Sequence, residues 1–350
     1  MKKINNSKAF TLLELMVSIF ITIVIIASFY KLYNASIKTE RSAAIRSGVN
    51  LMGEQILDIL SESFRLVGLN ADKFDFMDGD VIFPEIKVNP ISVQYLSPYG
   101  SPITKVVTTG ESTYPGCSIE LFNSASFYSG LNQLYIHNQN GFFKANGTFS
   151  PASSTFQVSS FSTQAGEDGT PCKDIFPSGS LITGKDFRYQ LTYSNDGNVG
   201  KINSLKLESF DPATGQPEGT LINFSYNYNK ADNFYSMPKF IMEYLYEYEC
   251  GADVCRAWLG SKKTDDVVSH VKDIIAVRFG FVLLSRKERV VKGNPSVSTG
   301  TQPKYCIFQD DGNDSSYCDT LTDLNYTASV FRRTVYLSNY RLLRDQVAKE

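Results

Sequence analysis

Histidine is almost missing from this 350-residue chain, which has only His137 and His270, far apart in sequence. Imidazole-based metal clusters and histidine acid/base catalysis therefore have little raw material. Net charge is equally scarce. With 34 Lys+Arg against 36 Asp+Glu, the formal charge of -2 supplies no global field to gather nucleic acid, so no obligatory nucleic-acid partner is expected. Internal repeats, low-complexity tracts and a nucleophile–base–orienter motif are also lacking, and neither an enzyme nor a cofactor is expected. What the chain does contain is core-forming material. Its 42% hydrophobic and 13% aromatic residues exclude wholesale disorder, because disordered chains lack the apolar surface that offsets ordering entropy. The length leaves one large or two smaller globular units open, since a typical domain has ~100–200 residues.

Long hydrophobic runs are confined to the amino terminus. Residues 10–30 are apolar apart from Glu14 and a few hydroxyl side chains, and at ~1.5 Å rise per residue they just span a ~30 Å hydrocarbon layer. A basic leader with Lys2, Lys3 and Lys8 and no acid precedes them. It looks like the start of a secretory signal, but the apolar run exceeds the ~7–15 residues of such signals and Ala27-Ser28 makes a poor cleavage site. Orientation is not settled by the positive-inside count, because Lys31, Lys38, Arg41 and Arg46 follow the run. Glu14 is the informative residue. A carboxylate deep in hydrocarbon costs roughly 2.5–3.5 kcal/mol on insertion scales and calls for a partner. Cleavage between Ala9 and Phe10 would create an α-amino group four residues before Glu14, with the charge to pair with it, including between adjacent subunits.

On these residues the chain resembles the type IV pilin superfamily, whose prepilins carry a short basic leader, a cut before Phe, and a run like Phe10-Thr11-Leu12-Leu13-Glu14 followed by apolar residues. The resemblance implies that a prepilin peptidase removes residues 1–9 on the cytoplasmic side and methylates Phe10, and that Glu14 guides docking into a growing filament. Ala9 departs from the usual Gly at the cut. The implied partners are this peptidase, an inner-membrane assembly platform, a major pilin and other minor pilins.

Beyond the membrane-length segment, Ile45, Val49, Met52, Ile56, Ile59 or Leu60, Phe64 and Val67 recur at helical spacing with no proline between them. One helix from Phe10 to about Val67 is expected, with Gly48 and Gly53 as weak points. From about residue 70 the pattern changes to short Tyr-, Phe-, Val- and Ile-rich runs separated by turn residues. Strands are expected near 91–96, 133–137, 156–161, 187–193, 204–210, 221–228, 240–248, 274–284 and 330–337. Ser/Thr/Gly/Pro-rich stretches at 97–116, 146–171 and 293–304 read as loops, and helices read as scarce. The expected fold class is α+β: a long amino-terminal helix packed on an antiparallel β-sheet head with large loop insertions. The segments are a leader at 1–9, a transmembrane or filament-core helix at 10–30, its amphipathic continuation at 31–69 and a β-rich head at 70–350. In Glu243–Glu249, alternation sets three tyrosines against three acids and Leu245, which predicts a sheet with one packed and one wet face.

The cysteines, Cys117, Cys172, Cys250, Cys255, Cys306 and Cys318, all follow the apolar run, as a head folding in an oxidising compartment requires. Six cysteines allow 15 pairings; closeness in sequence favours Cys250 with Cys255 and Cys306 with Cys318, leaving Cys117 with Cys172. Zinc is disfavoured, because Cys250 and Cys255 have no second pair or histidine nearby. Asp310, Asp311, Asn313 and Asp314, with Asp319, are oxygen ligands that could hold calcium, but their spacing is not that of an EF-hand and a solvated, disulfide-closed surface loop is the favoured reading. Gly179–Lys185 fits a phosphate loop except that Asp186 stands where Ser or Thr is needed. Three further stretches, 60–68, 277–286 and 331–339, resemble the PilW family of minor pilins. That resemblance implies a complex that primes pilus assembly at or near the filament tip, and display of a tip adhesin. The implied location is the bacterial inner membrane, as a single-pass protein with its head in the periplasm, and then the extracellular pilus. The alternatives are a minor pseudopilin of a type II secretion system and a membrane-anchored periplasmic binding or adhesion protein.

Overall fold

The computed structural model describes residues 12–71, 82–88, 90–123, 132–139, 141–161, 166–194, 202–227, 235–251, 253–260, 271–286, 304–308, 317–320 and 326–347. Helix α1 (Leu12–Arg65) runs unbroken for 54 residues, roughly 81 Å at ~1.5 Å per residue. Its two halves have opposite surroundings. Side chains of the first half are exposed, whereas Val49, Ile56, Leu57, Leu60 and Phe64 in the second half are buried. Leu60 rather than Ile59 takes the inner position, and Ile45 and Met52 are half-buried. Gly53, expected as a weak point, is a point of close approach. A Cβ there would overlap the ring of Phe331, which itself stacks on Phe281 at 5.3 Å. The helix gives way to tight turns through Asn70, and the Asn339 amide donates to the Arg65 carbonyl to cap its end.

Strands β1 (Glu85–Val88) and β2 (Ile91–Ser97) begin a sheet that the chain then leaves. It forms β3 (Ile103–Thr109), β4 (Ser118–Leu121), β5 (Gln133–Asn138), β6 (Gly141–Ser150), β7 (Thr155–Phe161), the single-turn helix α2 (Cys172–Ile175) and β8 (Leu181–Thr183). These six strands close into a barrel of order β3-β4-β7-β6-β5-β8. The chain returns as β9 (Phe187–Ser194), β10 (Ile202–Phe210) and β11 (Pro217–Asn227), completing an antiparallel sheet of order β1-β2-β9-β10-β11. A second antiparallel sheet, β13-β12-β14-β17, follows from β12 (Tyr235–Cys250), β13 (Asp253–Leu259), β14 (Ile274–Arg286) and β17 (Tyr326–Tyr336). The short hairpin of β15 (Lys304–Cys306) and β16 (Cys318–Thr320) interrupts it, and helix α3 (Ser338–Val347) ends the described chain.

Helix α1 and both sheets share one core. Phe64 stacks on Tyr95 at 4.2 Å and meets Phe279 at 6.2 Å, so each sheet sends an aromatic ring to the same turn of the helix. Full burial of one such ring contributes roughly 1.5–3 kcal/mol. The barrel has its own core, formed among others by Ile119, Leu134, Ile136, Phe149, Phe156 and Ile182. The head is therefore a pair of sheets on a helix with a second, separately cored unit inserted between β2 and β9.

The strand expectations coincide with β2, β5, β7, β9, β10, β11, β12, β14 and β17, although Tyr228 lies outside the described residues. Three expectations need correction. The supposed loop 97–116 contains β3, and 146–171 contains the end of β6 and all of β7; of 293–304, only Lys304 is described, in β15. Helix α3 was not anticipated. Finally, Glu243–Glu247 has no wet face: Glu243, Leu245 and Glu247 are buried like Tyr244 and Tyr246, and only from Tyr248 does the strand become exposed. The β15–β16 hairpin supplies part of the cover, with Ile307 and Phe308 joining Ile241, Val282 and Leu284.

Candidate assembly interface

The first half of α1 is a bare apolar rod. Leu12, Phe20, Phe29 and Tyr33 are all more than three-fifths exposed, and the most apolar stretch buries none of its residues inside the chain. By length and composition this segment can cross a membrane. Its hydroxyl residues are suited to hydrocarbon, since Ser18 donates to Leu15 O (2.9 Å), Thr22 to Ser18 O (2.7 Å) and Ser28 to Val24 O (2.8 Å). Glu14 occupies the first turn, exposed at the amino-terminal end, where a helix favours negative charge. Ala9 and Phe10 lie outside the described residues.

The opposite end of the head is built up. Ser97, the last residue of β2, donates to Ser63 O at 2.8 Å, and the barrel begins directly beyond it. It is thus attached beside the last turns of α1, away from the apolar rod. Cys117–Cys172 ties the start of β4 to α2, Cys250–Cys255 closes the β12–β13 turn, and Cys306–Cys318 clasps the β15–β16 hairpin. Asp310, Asp311, Asn313 and Asp314 lie outside the described residues, and among those described no group of three or more His, Cys, Asp and Glu is placed to hold a metal ion. Gly179–Lys185 forms a turn and strand β8, which is no phosphate cradle.

Two polar groups in the head escaped sequence reasoning. Arg278, 6% exposed in β14, donates from Nε and Nη2 to Glu243 Oε2 at 2.7 and 2.6 Å. Its guanidinium lies 4.3 Å from the ring centres of both Trp258 and Phe308, while Tyr317 donates to Glu243 Oε1 at 2.6 Å. Burial, then that bond to an anionic acceptor, raises the Tyr317 phenol above its usual range. This caged ion pair holds the disulfide hairpin onto the sheet. Its signal in the sequence was a lone arginine inside Ile274–Leu284, an otherwise apolar run. Asn70 is the second: it joins α1 to the barrel through His137 and Thr183.

Residues 4–30 match the family model described as the prokaryotic N-terminal methylation motif. The amino terminus is type IV prepilin-like. The matched span holds Lys8, Glu14 and the apolar run to Tyr30 in one segment. Among solved structures, a type IV-like pilin from Thermus thermophilus aligns at 11% identity with a TM-score of 0.24, covering 59% of this chain and 84% of that one. That likeness is slight, and the functional reading rests on the amino terminus. No curated protein matches the chain. The methylation motif and a helix long and apolar enough to cross a membrane thus share one amino-terminal segment.

Proposed function

We propose that the chain is a minor pilin that takes part in priming type IV pilus assembly and sits at or near the filament tip. The observation that carries this reading is α1 itself: one rigid helix exposes an apolar, Glu14-bearing half and buries the other half under the head. Such a helix exchanges lipid for the helices of neighbouring subunits, because its apolar surface needs cover in either setting. Prepilin peptidase cuts between Ala9 and Phe10 and methylates Phe10, and the new amino terminus pairs with Glu14 of its own or an adjacent subunit. Residues 10–30 span the inner membrane and then enter the filament core, 31–69 carry the head, and 70–350 face the periplasm and later the outside. The major pilin, other minor pilins and the assembly platform are the partners.

The barrel supports the tip position. It adds a folded unit beside the far end of α1, where in a stack of parallel subunits the preceding subunit would sit. Deleting the gene should abolish or strongly reduce surface pili while protein secretion continues, and plasmid-borne wild type should restore them. Loss of secretion with pili intact would assign the chain to a type II secretion pseudopilus.

A further inference from the structure

The outer wall of the barrel carries apolar side chains at β3. Ile103 and Val107, 48% and 39% exposed, face outward on either side of exposed Lys105. At Val107 the cause is a bulge. Val106 pairs with Leu121 and Thr108 with Glu120, so β3 holds one extra residue there, and Val107 and Thr108 both reach the surface. Phe122, one residue past β4, is 67% exposed and is fixed beside the same positions. Its N–H donates to Lys105 O (3.0 Å), and the amide of Asn123 donates to Thr104 Oγ1 (3.1 Å). The Phe122 ring centre lies 4.7 Å from Lys105 Nζ, and half-buried Leu181 on β8 is the cross-strand neighbour of Lys105. Lys105 therefore stands inside an apolar patch, and among the described residues no carboxylate forms a salt bridge with it. An aromatic ring held at the surface by backbone bonds adds little to the barrel core. It is the kind of ordered anchor on which protein interfaces concentrate their affinity.

We propose that this wall of the barrel is the docking surface for a segment of another protein that presents one acidic side chain among apolar ones. Phe122, Ile103 and Val107 take the apolar side chains, and Lys105 takes the carboxylate. Charge argues against the other occupants. An isologous contact with a second copy would set Lys105 against Lys105, and like charges directly opposed are unfavourable. An anionic lipid surface is held by clusters of roughly 4–8 basic residues. Here one cation stands in a chain whose formal charge is -2. Because Lys105 lies within the patch rather than at its margin, a docked segment shields the pair from water, and a partner with a neutral or basic residue at that position leaves the ammonium unpaired. The inference does not rest on the filament reading, since a membrane-anchored binding protein would use the same wall.

The test is photo-cross-linking in cells that produce the full chain, with Thr108 replaced by p-benzoylphenylalanine as the probe and the joined peptides sequenced by mass spectrometry. The expected product is one partner protein, attached at a segment in which an acidic residue is flanked by apolar ones. Lys105→Glu should lower its yield about ten-fold, because like charges then meet, and a lysine in place of the partner's acid should restore it. Phe122→Ala should lower the yield with Lys105 intact. Each variant is first checked for the Cys117–Cys172 bridge, which reports a folded barrel. Should Lys105→Glu fail to form it, Lys105→Gln takes its place and should lower the yield through the missing charge alone. Cross-links to a second copy, to lipid, to a segment without an acid or to nothing would overturn the proposal. So would a yield that the Lys105 and Phe122 variants leave unchanged.

Discussion

At Gly53, two residue-scale effects oppose each other. Alanine gains up to ~1 kcal/mol of helix propensity, but its methyl would press on the Phe331 ring, which is wedged against Phe281. Overpacking should win, so Gly53→Ala is expected to destabilise the head by about 1–3 kcal/mol in denaturant unfolding. The Glu243–Arg278 pair lends itself to a sharper comparison. Glu243→Ala strands a buried guanidinium and should cost roughly 3–5 kcal/mol, whereas Glu243→Leu with Arg278→Met removes both charges and should cost much less. Equal losses in the two variants would mean that packing, rather than the unpaired charge, sets the penalty.

Among the elements, α1 was the most legible, because its apolar positions repeat over many turns and no proline interrupts them. Strand β14 was equally plain, as a long apolar run that proves to be buried on both faces. The barrel was not legible. Strand β3 puts Ile103 and Val107 outward and Thr104 inward, so its apolar residues do not mark the buried face, and Pro and Gly flank it like a loop. Strand β6 contains Asn146-Gly147 at a register shift, where periodicity fails. Closure of six short strands into a barrel depends on contacts far apart in sequence, which no local pattern records. The wet face expected in Glu243–Glu249 failed for the same reason, since its cover arrives sixty residues later with the β15–β16 hairpin. That hairpin yields an element-scale prediction. Replacing Cys306 and Cys318 by serine opens a bridge that closes a 12-residue separation, worth ~2–4 kcal/mol in the chain-entropy account. The loss should appear as raised proteolysis at 304–320 and fluorescence change at Trp258, with the barrel undisturbed.

On the scale of the whole molecule, the methylation motif at residues 4–30 was legible because it is one short stretch that needs no tertiary context. The position of the barrel needed the fold. Glu14 is exposed at the start of α1, remote from the packed head, so Glu14→Ala should leave the unfolding midpoint of the head unchanged while incorporation into filaments drops sharply. Stability and assembly should therefore separate cleanly at this residue, and joint loss of both would contradict its assignment to subunit contacts. The most direct test of the central claim is the intact mass and amino-terminal sequence of the protein recovered from its native membrane. A chain beginning at N-methylated Phe10 is predicted; a chain that keeps Met1, or begins after the apolar run, would contradict the assembly reading.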